Sequence, residues 1–316
     1  MATAESPQTV SVPTISVLMP VFNGAPYVEA AVKSVLSQTF RDFELLIVDD
    51  GSTDESLPIL ERLAATDSRI RLTTRPNKGL VSTLNELLAA ARGPWLARMD
   101  ADDLCRPTRF ARQLQFLAEH PAVVGVGSRV LFIDSEGLPL MEAMDRYTHE
   151  QIDAELLRPG LAIVHPSAMI SAGACKAIGG FSDQYRHAED LDFFLRLGEI
   201  GPLANLSEPL LDYRIHGSSV SHLFVIEQSQ SARHAIDAAL ARRGATTPLA
   251  KSARHRASAV ESKAALHRKW TWWALGAGHL RTARKHARLA ILAEPLNPKG
   301  LLNLVFVLRD SLRAIL

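Results

Sequence analysis

Between residues 15 and 134, short apolar runs alternate with stretches whose apolar residues recur at helical spacing. ISVLMPV (15–21) and FELLIVDD (43–50) are apolar without alternation, the mark of strands buried on both faces. Between them, residues 26–38 put Val28, Ala31, Val32, Val35 and Leu36 on one helical stripe. The same rhythm predicts a helix over 53–65, capped by Ser52 or Thr53, then a strand at RIRLTT (69–74). A helix over 80–91 and a strand at PWLARMD (94–100) follow. Pro107 falls in the first turn of a helix reaching about residue 120, and VVGVGSRVLFI (123–133) is the next strand. This βαβα order predicts an α/β fold with a mostly parallel sheet and helices on both faces.

The middle third is less regular. IVHPSAMIS (163–171) reads as a strand, 187–197 as a helix and LLDYRIH (210–216) as a closing strand. After Gly217 the pattern is all-helical, with candidates at 219–243, 249–269, 270–292 and 298–315. Gly244, a Trp cluster and the segment EPLNP (294–298) separate them. GHLRTARKHARLAILAEPLNP has the small-residue spacing of one tetratricopeptide-like helix pair, too little for an array. The expected organisation is a disordered tail over 1–12, an α/β domain over 13–218 and a basic helical region over 219–316.

Charge sharpens that division. Residues 1–218 hold 19 Lys+Arg against 29 Asp+Glu, whereas 219–316 hold 16 against 5. An acidic body is therefore joined to a basic tail. The chain of 316 residues is 47% hydrophobic and 22% charged, which suits one large domain with an appendage. Cys105 and Cys175 make no disulfide framework, so a reduced, cytoplasmic setting is expected. No run approaches the roughly 18 apolar residues of a membrane span. The start lacks a basic segment followed by an apolar core, so no secretory signal is expected.

The candidate chemistry lies in three acidic clusters. Asp49-Asp50-Gly51-Ser52 closes a strand, where ligands of open α/β sheets bind. An ordinary turn with a helix cap accounts for the same residues. Asp100-Ala101-Asp102-Asp103 follows another strand; alternate strand residues share a face, so Asp100 and Asp102 are expected to point together. Carboxylates so placed repel unless a cation relieves them, and Mg²⁺ or Mn²⁺ takes one or two carboxylates plus substrate phosphates. A solvated acidic loop is the competing reading. Glu189-Asp190 heads a helix, where acidic residues also suit the dipole. His216, between a strand and Gly217, is a candidate metal or phosphate ligand.

Taken with PVFNG (20–24), SVLSQTF (34–40), FELLIVDDGSTD (43–54) and Asn77 to Asn85, these clusters resemble a known family. MDADD (99–103), HPS (165–167), GGF (179–181), AEDLDFFLRL (188–197) and YRIHGSSVS (213–221) extend the likeness over about residues 13–221. The chain resembles family 2 inverting glycosyltransferases of the GT-A fold, a Rossmann-like sheet. The resemblance implies that Pro20, Phe22, Asn23 and Asp50 hold the nucleobase end of a nucleotide-sugar donor. It puts Asp100 and Ala101 near the ribose, and Lys78 near the diphosphate. Asp102 and His216 would bind Mn²⁺ or Mg²⁺, and Asp190 would be the catalytic base. Gly180, Phe181 and Glu189 would lie towards the acceptor.

The expected reaction moves one sugar from a nucleoside diphosphate, with UDP-sugars favoured, to a hydroxyl of a glycan or lipid-linked glycan. Cell-surface polysaccharide synthesis is the expected setting. Processive synthases of the family carry a Q-x-x-R-W motif and membrane spans, and neither occurs in this sequence. A nucleotidyltransferase is an alternative, but PVFNGAPY offers one Gly and no base for a phosphate loop. A non-catalytic nucleotide-sugar-binding scaffold is another, against which Asp102 and Asp190 argue. The basic tail, with Trp270, Trp272 and Trp273 beside His267-Arg268-Lys269, fits an anionic membrane surface at the inner face of the cell membrane. It equally fits a cap packed on the acidic body. No recognition fold for nucleic acid accompanies the charge. Sequence leaves the oligomeric state open.

Overall fold

The computed structural model describes residues 12–158, 160–216, 225–244 and 262–313. Its N-terminal half alternates β1 (Ile15–Val21), α1 (Val28–Leu36), β2 (Phe43–Asp49), α2 (Ser56–Ala64), β3 (Ile70–Thr74), α3 (Leu80–Ala90) and β4 (Trp95–Arg98). Then come β5 (Leu104–Cys105), α4 (Arg109–Glu119), β6 (Gly125–Ile133), β7 (Pro139–Ala143) and α5 (His149–Leu156). After a 3₁₀ turn at His165–Ser167 follow β8 (Met169–Ser171), α6 (Ala172–Ala177), α7 (Glu189–Gly198) and β9 (Leu203–Arg214). Four described helices end the chain: α8 (Val225–Arg242), α9 (Lys263–Gly276), α10 (Leu280–Ala293) and α11 (Pro298–Arg313).

One sheet runs β3-β2-β1-β4-β8-β6-β9-β5, with β7 on β6. The β3-β2-β1-β4 half is parallel throughout; β4–β8, β6–β8, β6–β7 and β5–β9 are antiparallel. Every residue of β1 and β2 is buried, and their side chains divide by parity. Ile15, Val17, Met19 and Val21 pack with Val28, Val32 and Phe110 on one face. Leu18, Leu46 and Val48 pack with Leu84 and Phe193 on the other. That is why those strands are apolar without alternation.

Several boundaries differ from expectation. Helix α2 starts at Ser56, and neither Ser52 nor Thr53 caps it; the Ser52 hydroxyl instead accepts from the Asn23 N–H at 2.9 Å. The stretch 163–171 is a 3₁₀ turn followed by a short strand. The closing strand begins earlier, at Leu203, because Gly125 to Ile133 gives it a long parallel partner. In the tail the helix break lies at 277–279, where Gly278 has φ 80°, and not at the Trp cluster. Expectations for 1–11, 219–224 and 249–261 lie outside the described residues.

The tail packs on the body. Ala235, Ile236 and Ala239 of α8 join the core beside Phe193 and Leu197, while Arg242 pairs with Glu199 at 2.9 Å and Arg243 with Asp153 at 2.9 Å. Helices α9, α10 and α11 bury Leu266, Trp270, Ala283, Ala287 and Val307 against Leu140 of β7. Trp273 stacks on Phe132 at 5.8 Å between ring centres. Of the three clustered Trp residues only Trp272 is exposed. Among the described residues no helix is long and apolar enough to cross a membrane.

Candidate active site

Because β1, β2 and β4 are adjacent and parallel, their carboxyl ends open on one edge of the sheet. The loop after β1, Asp50 after β2 and Asp100 to Asp103 after β4 all leave from that edge. Pro20 is buried inside β1, paired with Val48, while Phe22 is 53% exposed at the mouth. Asn23 holds φ 51°, and its side-chain oxygen accepts from the Thr53 N–H at 2.8 Å. This stitches the β1 loop to the segment after β2. The loop reaches Ala101, whose Cβ would lie 3.6 Å from a Cβ placed on Gly24.

Asp50 is buried and organises the next wall. Its carboxylate accepts from the N–H groups of Lys78 at 2.8 Å and Gly79 at 2.9 Å, and pairs with Arg75. Gly51 (φ 74°) cannot carry a side chain there, since a Cβ would meet the Asn77 nitrogen at 2.8 Å. Lys78 keeps an exposed side chain beside this loop.

Asp100, Asp102 and Asp103 converge, with one ligand atom from each within 4.8 Å of the others. The expected reason for their convergence was wrong. Strand β4 ends at Arg98, and a turn rather than the pleat brings the carboxylates together. Strand β5 then pairs Leu104 with Asp212, which sets β9 alongside. His216, just past β9, meets the Asp102 carboxylate through Nε2 at 3.0 Å.

The electrostatics are unbalanced. Burial raises the pKa of Asp100, and the charge of Asp102 adds to it even though Arg98 donates to Asp100 at 2.6 Å. Burial and then Asp102 push Asp103 well above the usual carboxylate range, and its Oδ2 has no hydrogen-bond partner. A buried orphan carboxylate oxygen beside two more carboxylates is a donor set that fits a hard divalent cation.

Glu189 and Asp190 open α7 near this cluster, and Asp190 senses the charges of both Arg98 and Asp100. Asp190 Oδ1 accepts from the Leu191 N–H at 2.8 Å. Burial raises the pKa of Asp190, and burial plus the charge of Asp190 raise Glu189 to about 7. His187, just before them, has φ 63°, and its carbonyl accepts from Gln228 of α8 at 2.9 Å. Phe181 is buried and stacked on Phe193 at 4.2 Å, and the Asn85 amide bonds both its N–H and its carbonyl. Gly179 to Ser182 line a cleft of about 340 Å³ with Tyr185, Arg196 and Arg242.

Three neighbours lie in stretches that the sequence reading quoted without giving these residues a role. Arg98 is buried in β4 with Nε and Nη1 unpartnered. His165 is buried, its Nε2 without a partner, and burial followed by the Arg98 charge lowers its pKa well below the ordinary histidine value. Arg214 donates to the acidic turn from its backbone N–H and its guanidinium. A charged residue inside an apolar strand, as in WLARMD, was the available signal for Arg98.

Comparison with known proteins bears on the family and the fold. Residues 16–179 match the model of glycosyl transferase family 2. A chondroitin synthase of Escherichia coli is 30% identical over 219 residues, which are 69% of this chain but only 31% of that protein. The crystal structure of Staphylococcus aureus TarS 1-349 with UDP superposes with a TM-score of 0.56 at 18% identity, covering 95% of this chain and 92% of that one. The mannosyltransferase PcManGT of Pyrobaculum calidifontis, solved with GDP-Man and Mn²⁺, gives 0.56 at 19% identity over 98% and 83%. These likenesses give the sheet and its helices the GT-A architecture. With the family model matching more than half of its residues, the chain belongs to glycosyl transferase family 2.

Proposed function

We propose that this enzyme moves one sugar per encounter from a nucleoside diphosphate donor to a hydroxyl of a glycan or lipid-linked glycan, with inversion. The observation that carries the reading is the convergence of Asp100, Asp102 and Asp103 beside the half-buried Glu189–Asp190 pair. Pro20, Phe22, Asn23 and Asp50 form the nucleobase end, and Asp100 and Ala101 face the ribose. Lys78 lies towards the diphosphate. Asp102 and His216 would hold a divalent cation, Mn²⁺ or Mg²⁺, which would supply charge neutralisation for the departing diphosphate. Asp190 takes the proton of the acceptor hydroxyl as its oxygen bonds to the anomeric carbon and the C–O bond to the diphosphate breaks. Burial makes Asp190 a stronger base than an ordinary aspartate. Attack opposite the leaving group inverts the centre, so no second nucleophile is needed. Glu189, Gly180 and Phe181 shape the acceptor side.

UDP-sugars are the favoured donors, in keeping with the UDP bound by TarS, while PcManGT binds GDP-Man. Synthesis of a cell-surface polysaccharide is the proposed setting, in line with the chondroitin synthase relative. A panel of UDP-, GDP- and dTDP-sugars with Mn²⁺ tests the reading through thermal stabilisation and slow hydrolysis. One nucleotide family should raise the melting temperature; no response to any of them would sink the proposal.

We further propose that the tail docks on anionic lipid at the inner membrane face through a smaller surface than its net charge implies. Arg242, Arg243 and Lys285 are spent on acidic groups of the body. Exposed on one face of α10 lie Arg281, Arg288 and Leu292, and on one face of α11 lie Leu301, Val305 and Leu308. Arginines beside exposed leucines suit an anionic lipid surface. The paired substitutions Arg281→Glu and Arg288→Glu should weaken binding to anionic vesicles by about 30-fold, at about 1 kcal/mol per basic residue. Co-sedimentation measures it. If the wild type ignores such vesicles at low salt, or self-associates instead, the face belongs to another protein surface.

A further inference from the structure

Resting on the reading of Asp102 as a metal ligand, we propose that Arg214 is a positioning residue for the acidic turn. We also propose that it ties that turn to the C-terminal helices. Arg214 is the last residue of β9 and is buried. Its backbone N–H donates to the Asp103 carboxylate at 2.8 Å, and its Nε donates to the Asp102 carbonyl at 2.8 Å. From the same guanidinium, Nη1 donates to the carbonyls of Asp134 at 3.1 Å and Ser135 at 3.3 Å. Its plane lies over the Tyr27 ring at 4.6 Å, and Tyr27 lies 5.6 Å from the His216 ring. One side chain thus spans the acidic turn, the β6–β7 turn and the aromatic support of His216.

Asp134 is the other anchor. It is fully buried in the β6–β7 turn, where its Oδ1 accepts from the N–H groups of Glu136 and Leu138, each at 2.9 Å. Its Oδ2 accepts from Lys285 Nζ at 2.6 Å and faces His286 Nε2 at 3.1 Å, both on α10. Burial alone would raise its pKa, but His286 and Lys285 hold it below the ordinary range. So α10 fixes the Asp134 turn, the turn's carbonyls fix the Arg214 fork, and the fork fixes the backbone of Asp102. The basic tail is then part of the metal site's support and not only an appendage. A fork of fixed geometry is needed because two turns must be held at once; an ammonium on a flexible stem cannot reach both.

The test measures metal binding directly, on full-length protein. Free Mn²⁺ is followed by electron paramagnetic resonance during titration in the presence of UDP or GDP, for wild type, Asp102→Ala, Arg214→Lys and Lys285→Met. Nucleotide affinity in EDTA is measured alongside by calorimetry. Arg214→Lys should weaken Mn²⁺ by about 10- to 100-fold, the scale for partners that orient a metal ligand. Lys285→Met acts through one further contact and should weaken it by about 2- to 30-fold. Affinity in EDTA should stay unchanged in both. Lys285 is partly exposed, and Asp134 keeps His286 and two N–H donors, so this variant should fold even if Arg214→Lys does not. Wild-type Mn²⁺ affinity in both variants, with Asp102→Ala defective, overturns the proposal and leaves the metal reading intact. Wild-type affinity in Lys285→Met alone overturns the link to the helices. If Asp102→Ala binds Mn²⁺ as wild type does, the metal reading falls first and the role of Arg214 falls with it.

Discussion

Asp190→Asn should fold, bind donor as wild type does, and transfer sugar about 10²- to 10⁴-fold more slowly, the usual scale for losing a general base. Asparagine fills the same space and can keep the acceptor bond from the Leu191 N–H. It cannot take a proton. The fold should not suffer. Burial raises the folded-state pKa of Asp190 above 3.8, so its contribution to stability is present below 3.8 and lost as pH rises through the folded value. At pH 8 the wild type bears that cost and the asparagine variant does not. Its melting temperature at pH 8 should therefore equal or exceed the wild-type value. If Asp190 is the base, as proposed, it must be ionised to act, and kcat/KM should fall on acidification with a midpoint above 3.8. Glu189, raised to about 7, is the neighbouring carboxyl that a pH profile could mistake for the base. Glu189→Gln separates them, because it should keep most of the transfer rate. Near wild-type transfer by Asp190→Asn would remove Asp190 from the role of base.

The parallel half of the fold was legible because burial on both faces leaves an unmistakable trace: β1 and β2 carry no outward polar face that alternation could mark. The antiparallel additions were less visible. Strand β7 is five residues long and exists through its pairing with β6, and α5 has the weak apolar stripe of Ile152 and Leu156. Strand β9 contains Pro209, where its register against β6 shifts, so the run before it does not read as strand. The acidic residues were named from sequence, but their convergence depends on a turn whose geometry sequence does not specify. Arg98 and Arg214 show why: each is an arginine in a strand, and only the packing of β4 and β9 against the acidic turn gives it partners. In the tail, Trp beside basic residues fitted both an anionic membrane surface and a cap packed on the body, and sequence alone could not divide the three Trp residues between the two. With α9 running through to Gly276, Trp270 is buried in the cluster that contains Leu140, while Trp272 is exposed.

Asp102→Ala should reduce nucleoside diphosphate affinity in Mn²⁺ to the level that the wild type shows in EDTA. Asp102 is the carboxylate that His216 meets, and it lies within 4.8 Å of its two neighbours. A cation held there would offset diphosphate charge by several kcal/mol, so losing it should dominate any other single change on the donor side. The substitution should leave the turn in place. Arg214 holds the carbonyl of Asp102 and not its carboxylate, and the side chain is 34% exposed. It should even ease the electrostatics, because the charge of Asp102 is one of the causes that raise Asp100 and Asp103. Removing it moves both pKa values down, so the variant carries two carboxylates that ionise more readily and still fails to hold the nucleotide through metal. Calorimetry with UDP, GDP and dTDP, in Mn²⁺ and in EDTA, reads the outcome. Equal affinity of variant and wild type in Mn²⁺ for the preferred nucleotide would show that Asp102 is not the ligand, and Asp100 or Asp103 would have to take its place.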